Sequence, residues 1–290
     1  MFRGSMVALV TPFRDGRIDE KGIDDLVEFH IASGTDAVVM CGTTGESAAL
    51  DEDEHRRVVA RAVAKAAGRV PIVAGTGTNS TKRTITLSRN ALKEGADGLL
   101  VVTPYYVRPT QMGLTGHFKA VLEVSEKPVI LYNVPSRTGA NLEPETVARL
   151  AESDRVVAVK EASGSLAQAC EIIRLCGERI DVVSGDDHLL LPHMAVGARG
   201  IISVTANIVP DQVKALVGKA LDGDFVGARE IFYRLMPLNR VIFLETNPIP
   251  VKTALAMMGK IPEEFRLPLC PMSDDNRGEL HSVLRDFSLL

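Results

Sequence analysis

The chain has 290 residues, 46% hydrophobic and 24% charged, a balance that excludes disordered and fibrous classes and predicts a compact globular protein. Its formal net charge of -4 comes from mixed signs without a basic stripe, which speaks against nucleic acid as a partner. The apolar opening is short and broken by Thr11-Pro12, and no run approaches the roughly 20 apolar residues of a membrane span, so a cytoplasmic protein is expected.

Taken in chain order, short apolar runs of strand character fall at 5–9, 36–41, 71–74, 98–102, 128–132, 156–160, 181–184 and 200–204. Each is followed by a longer segment of helical periodicity, the signature of repeated βα units. Three joints share a pattern in which a helix ends on glycine just before the next strand, at Gly34, Gly95 and Gly197. The third helix predicts a stripe of Ile85, Ser88, Ala91, Leu92 and Gly95 on one face. Near-continuous apolar strands imply burial on both faces. Eight units predict a closed (β/α)8 TIM barrel, because eight strands enclose a bore that side chains just fill. An open doubly wound sheet is the second architecture the pattern allows. After the eighth strand the pattern is helical only, at 211–221, 224–243, 250–258 and 274–286. We therefore expect a barrel over 1–222 and a C-terminal helical domain over 223–290.

In such barrels chemistry sits at the C-terminal strand ends, which narrows the candidates. Lys160 closes the apolar run Val156-Val157-Ala158-Val159, so its stem lies among apolar groups. Desolvation there favours the free amine that attacks a ketone. By position alone it could equally be a strand-end lysine paired with Glu161. Gly42-Thr43-Thr44-Gly45 reads as a tight loop leading into a helix, offering N–H groups and two hydroxyls to a carboxylate. The same threonines could simply cap that helix. Tyr132 ends the fifth strand with a phenol able to exchange protons, and Arg137 could clamp a carboxylate through paired hydrogen bonds. Asp186-Asp187-His188 is too sparse for a metal site, and helix capping by the aspartates is expected, so no metal is assigned. Gly75-Thr76-Gly77-Thr78-Asn79 lacks the lysine and spacing of a phosphate loop. Cys41, Cys170, Cys176 and Cys270 lack CxxC spacing and read as incidental thiols.

Several motifs in order resemble the dihydrodipicolinate synthase family of pyruvate-dependent class I aldolases. They are Gly42-Thr43-Thr44-Gly45-Glu46-Ser47, Thr103-Pro104-Tyr105-Tyr106, Tyr132 to Gly139, Val159-Lys160-Glu161-Ala162, Ser184-Gly185-Asp186-Asp187 and Asn247-Pro248-Ile249-Pro250-Val251-Lys252. The resemblance covers essentially the whole chain. It implies an imine between Lys160 and pyruvate, with no external cofactor. It implies a proton relay of Tyr132, Thr43 and Tyr106, the last from a neighbouring subunit of a homotetramer arranged as a dimer of dimers. Thr44 would hold the pyruvate carboxylate, Arg137 the carboxylate of L-aspartate 4-semialdehyde, and the backbone of Gly185 and Ile202 would line the site. The implied reaction feeds lysine and diaminopimelate biosynthesis; another 2-oxo-acid or sugar-acid aldolase is the alternative within the family. A lysine effector pocket of relatives is matched by Ser47, Ala48, His55, Asn79 and Tyr105. Glu52 and Arg83 depart from it, and Arg83 sets a cation where an ammonium would bind, so weak or absent lysine inhibition is expected.

Overall fold

The computed structural model describes residues 2–290. Eight parallel strands close into a barrel: β1 (Gly4–Ala8), β2 (Ala37–Met40), β3 (Ile72–Gly75), β4 (Gly98–Val102), β5 (Val129–Asn133), β6 (Val156–Glu161), β7 (Asp181–Ser184) and β8 (Gly200–Ser203). They run round the bore in chain order, and β8 pairs back onto β1, so the barrel sheet has no edge and the open-sheet alternative fails. The expected runs are these strands, with ends displaced by at most one residue. The seam is sealed by glycine: Gly4 pairs with Gly200, where a Cβ would lie 2.1 Å from the Gly4 carbonyl oxygen.

Side chains alternate between the two faces of each strand. Met6, Val39, Val73, Leu100, Ile130, Ala158 and Ile202 fill the bore together with Tyr132. Val38, Ile72, Leu99, Leu131, Val159 and Ile201 pack outward beneath the helices. This period of two positions the site. Lys160 follows Ala158 into the bore, whereas Glu161 follows Val159 to the outside.

A helix follows every strand: Glu20–Ala32, Glu52–Ala66, Thr81–Lys93, Gln111–Leu122, Pro144–Leu150, Leu166–Cys176, Leu190–Ala195 and Pro210–Leu221. Gly34, Gly95 and Gly197 adopt φ of 73°, 93° and 112°, the left-handed geometry their joints require. The third helix buries Ser88 and Ala91 of the expected stripe and packs Leu92 against the core, but its inward face is shifted to take in Thr84 and Leu87, and Gly95 lies beyond its end. Polar residues are wanted inside here. Thr84 Oγ1 accepts from the Thr78 N–H at 2.9 Å, and Ser88 Oγ lies 2.9 Å from Thr76 Oγ1. A hairpin of Phe13–Arg14 and Arg17–Ile18 also escaped the sequence reading. Its turn, Asp15-Gly16, has φ of 54° and 75° and is a recognised hairpin signal. Three more helices follow the barrel, Phe225–Val241, Ile249–Met257 and Asp274–Asp286; the first packs on Pro210–Leu221 and on the last.

Buried histidines make the fold acid-sensitive. His30 Nδ1 lies 3.0 Å from Thr35 Oγ1 and His117 Nδ1 lies 2.9 Å from Thr81 Oγ1, each with its second nitrogen unpartnered. Burial, with Lys260 adding, lowers His30 to about 3, and burial alone lowers His117 to about 4. The unfolded chain takes up these protons first, near pH 6.5. The stability is therefore whole above about 6.5 and declines as the pH falls towards 4. At pH 5 each histidine should cost about 2 kcal/mol relative to pH 7. Urea midpoints at the two pH values measure the difference, and equal midpoints would exclude buried neutral imidazoles.

Candidate active site

Lys160, the penultimate residue of β6, lies at the mouth of the bore and is 5% exposed. The register sets it beside Tyr132 of β5, and its Nζ lies 4.4 Å from the centroid of the phenol ring. It has no ion pair among the described residues. The pairing with Glu161 that position alone allowed is absent, because the two side chains leave opposite faces of the strand. Gly185 makes room for the lysine stem: a Cβ there would lie 2.8 Å from Lys160 Cε and 2.7 Å from Ala162 Cβ. Ile202, fully buried, belongs to the same bore cluster.

The loop after β2 differs from expectation. Gly42-Thr43-Thr44-Gly45 does not run straight into a helix. Glu46 takes a left-handed φ of 53°, a single turn spans Ser47–Ala49, and the helix starts only at Glu52, capped by Asp51. The threonines therefore cap nothing. The loop is fixed by contacts from afar instead. Thr11 Oγ1 donates to the Gly45 carbonyl at 2.7 Å, Asn247 Nδ2 donates to Thr44 Oγ1 at 3.0 Å, and the buried Glu46 carboxylate pairs with Lys252.

Asn247 also accepts from Arg137 Nη2 through its backbone carbonyl at 3.2 Å, so one residue ties Thr44 to Arg137. Arg137 lies on the short helix Pro135–Thr138 and is exposed. Thus Lys160, Tyr132, Gly185 and Ile202 gather at the bore, with Thr44 and Arg137 linked above the strand ends. Tyr106 does not join them within the chain. It is 87% exposed, with φ of 72°.

Asn247, Lys252 and Glu46 are the residues that sequence reasoning gave no role. A signal was available, since Lys252 interrupts the apolar stretch Ile249-Pro250-Val251 and a buried cation demands a partner. Asp186 caps His188 N–H at 2.9 Å, as expected of it. Asp187 does not cap its own helix. Fully buried, it accepts from the Val204 N–H at 2.9 Å and from Ser203 Oγ, tying the end of β7 to that of β8. Cys41 is buried and burial pushes its thiol far up, which removes it as a nucleophile.

Beside the bore lies a cavity of about 330 Å³. Thr43, Arg137 and Asn247 line it together with Ser47, Ala48, His55, Arg83 and Tyr105. Lys160 and Tyr132 do not line it. Asn79 and Glu52 are exposed and stand outside it, so the expected effector group is brought together without Asn79.

A sequence model of the dihydrodipicolinate synthetase family matches residues 1–287. The 4-hydroxy-tetrahydrodipicolinate synthases of Geotalea daltonii and Geobacter sulfurreducens are 54% and 53% identical, each over the full length of both chains. Among solved structures, dihydrodipicolinate synthase from Aquifex aeolicus superposes with a TM-score of 0.98 at 49% identity, covering 99% of each chain. The chloride-inhibited dihydrodipicolinate synthase from Acinetobacter baumannii, complexed with pyruvate, gives 0.98 at 43% identity over 100% of both.

Proposed function

The chain belongs to the dihydrodipicolinate synthetase family, and on that premise we propose that Lys160 is the residue through which it condenses pyruvate with L-aspartate 4-semialdehyde. Its activity is that of a 4-hydroxy-tetrahydrodipicolinate synthase, a lyase of diaminopimelate and lysine biosynthesis. The observation that carries the assignment of Lys160 is its buried amine over the Tyr132 ring at the mouth of the bore.

Lys160 Nζ attacks the pyruvate ketone, and loss of water from the adduct gives the imine. The imine acidifies the methyl group, which loses a proton to give an enamine. Tyr132, Thr43 and a neighbouring subunit's copy of Tyr106 move that proton; the exposure of Tyr106 supports its reaching outward. The enamine carbon bonds to the aldehyde carbon, whose oxygen takes up a proton. The amino group of the adduct then displaces Lys160 from the imine carbon, closing the ring and restoring the free amine. Thr44 receives the pyruvate carboxylate, and the backbone of Gly185 and Ile202 lines the reacting atoms. The reaction needs no external cofactor. The working form in this reading is a cytoplasmic homotetramer, each chain a catalytic barrel over 1–222 and a helical domain over 223–290. No helix among the described residues is long and apolar enough to cross a membrane.

Borohydride added with pyruvate should fix mass on Lys160, as read by peptide mass spectrometry. Mass on another lysine, or none, would remove the assignment. Arg137 is exposed, and its single side-chain hydrogen bond among the described residues, from Nη2 to the Asn247 carbonyl, leaves the rest of the guanidinium to meet a short anionic aldehyde. Arg137→Ala should raise KM for aspartate semialdehyde by about tenfold to a hundredfold, as one charged hydrogen-bond pair is lost. Imine trapping with pyruvate should change less than twofold or so. Equal loss in both steps would argue against the clamp. In the side cavity Arg83 opposes an ammonium, so millimolar lysine should leave steady-state turnover unchanged. Potent inhibition would overturn that reading.

A further inference from the structure

We propose that Glu161 is a positioning residue that holds the imine lysine and the Arg137 segment in one arrangement, an inference that rests on Lys160 forming the imine. Glu161 is fully buried, faces away from the bore and has no cationic partner among the described residues. A buried carboxylate is costly unless hydrogen bonds replace its water, so its presence requires a reason. Three donors converge on it: Asn133 Nδ2 at 3.1 Å, the Ser163 N–H at 2.6 Å and Gln168 Nε2 at 3.0 Å. Only a group that accepts at both oxygens satisfies all three. A glutamine would turn an N–H towards at least one of them.

The donors belong to the elements that place the site. Asn133 is the last residue of β5 and pairs with Glu161 in the same register that sets Tyr132 beside Lys160. Its Oδ1 accepts from the Leu142 N–H at 2.9 Å, and its Nδ2 also donates to Asn141 Oδ1 at 2.9 Å. Asn141 Nδ2 in turn donates to Gln168 Oε1 at 2.8 Å. The segment bearing Arg137 therefore leaves from Asn133, which bonds the carboxylate directly, and returns at Asn141, which is joined to it through Asn133 and Gln168. The Glu161 backbone reaches further, its carbonyl accepting from the Gly185 N–H at 2.8 Å. Small displacements of such groups cost catalysis far more than they cost folding.

The test uses the full chain, with three readouts: borohydride trapping rate with pyruvate, KM for aspartate semialdehyde, and Tm. Glu161→Gln should slow trapping at least about tenfold and raise KM about threefold or more, because it disturbs both ends of the arrangement. Asn141→Ala, which removes contacts to Asn133 and Gln168 but leaves all three donors to Glu161 in place, should raise KM about threefold with trapping within about twofold of the parent. Val217→Ala lies in the core of a distant helix and should lower Tm while moving neither readout. If Glu161→Gln does not fold, Gln168→Met removes one of the three donors, together with the contact to Asn141, and should still slow trapping by about threefold. Trapping at the parent rate in either folded variant, with only a lower Tm, overturns the proposal. Slowing of the same size in Val217→Ala also overturns it, as general destabilisation. Absence of trapping on Lys160 in the parent protein would sink the assignment of the lysine itself, an outcome distinct from the others.

Discussion

Lys160→Met should lose kcat by at least about a thousandfold, roughly 4 kcal/mol of barrier, and melt no lower than the parent. The two effects have one cause. Lys160 as a residue is 5% exposed and has no ion pair among the described residues, so its amine sits in the bore as an incompletely solvated polar group. Methionine has similar length, fits against Tyr132 and Gly185, and removes that cost. A gain of about 1 kcal/mol would raise Tm by about 2 °C in a chain of this size. Active sites keep such groups at the expense of stability, and the sign of the change separates a nucleophile from a structural lysine. A lysine held for packing or pairing would lower Tm on replacement. Residual turnover near the parent rate would exclude an obligatory imine on Lys160. A lower Tm with full trapping elsewhere would show that the residue serves the fold.

How far the sequence disclosed this arrangement depends on which forces act locally. The eight strands were legible because each is an apolar run buried on both faces, and the period of two then sent Lys160 and Tyr132 into the bore. The glycine joints at Gly34, Gly95 and Gly197 were legible because a left-handed residue closes a helix wherever the rest of the chain lies. The inward face of the third helix was read only in part: Ser88 and Ala91 were placed on it, but hydrophobicity alone cannot see Thr84 satisfied by Thr78. The loop at Thr43 and Thr44 was misread for a related reason. Its shape is set by Asn247 and Lys252, about 200 positions away in the chain, and spacing carries no trace of contacts at that range. The same holds for Glu161. The sequence suggested a partner for Lys160, and the fold turned it outward to bind asparagine, glutamine and backbone.

Lys252→Ala should cost about 3–5 kcal/mol, among the largest effects of any single substitution in the chain. Both members of the Lys252 and Glu46 pair are shut from solvent, with side-chain exposures of 0% and 1%. The ammonium also lies 4.4 Å from the Phe13 ring centroid and 5.2 Å from that of Phe265. Burial pushes the lysine down and Glu46 opposes it, so each charge is tolerated only because the other is present. Removing the ammonium leaves Glu46 buried with the Arg266 N–H, 3.4 Å away, as its remaining donor. The pair adds little net stability over apolar residues of the same shape, so Glu46→Gln with Lys252→Met should recover most of the loss. Urea unfolding of both single variants and the double variant measures the coupling. Additive losses would show that the two side chains do not act as a unit. Function should follow the same pattern. Glu46 is the turn residue directly after the Thr44 loop, and Lys252 lies on Ile249–Met257, just past Asn247, which bonds Thr44 and Arg137. Loss of the pair should therefore raise KM for pyruvate, and the double variant should restore stability more fully than it restores KM, because a neutral amide in place of the Glu46 carboxylate cannot anchor the loop with a charge.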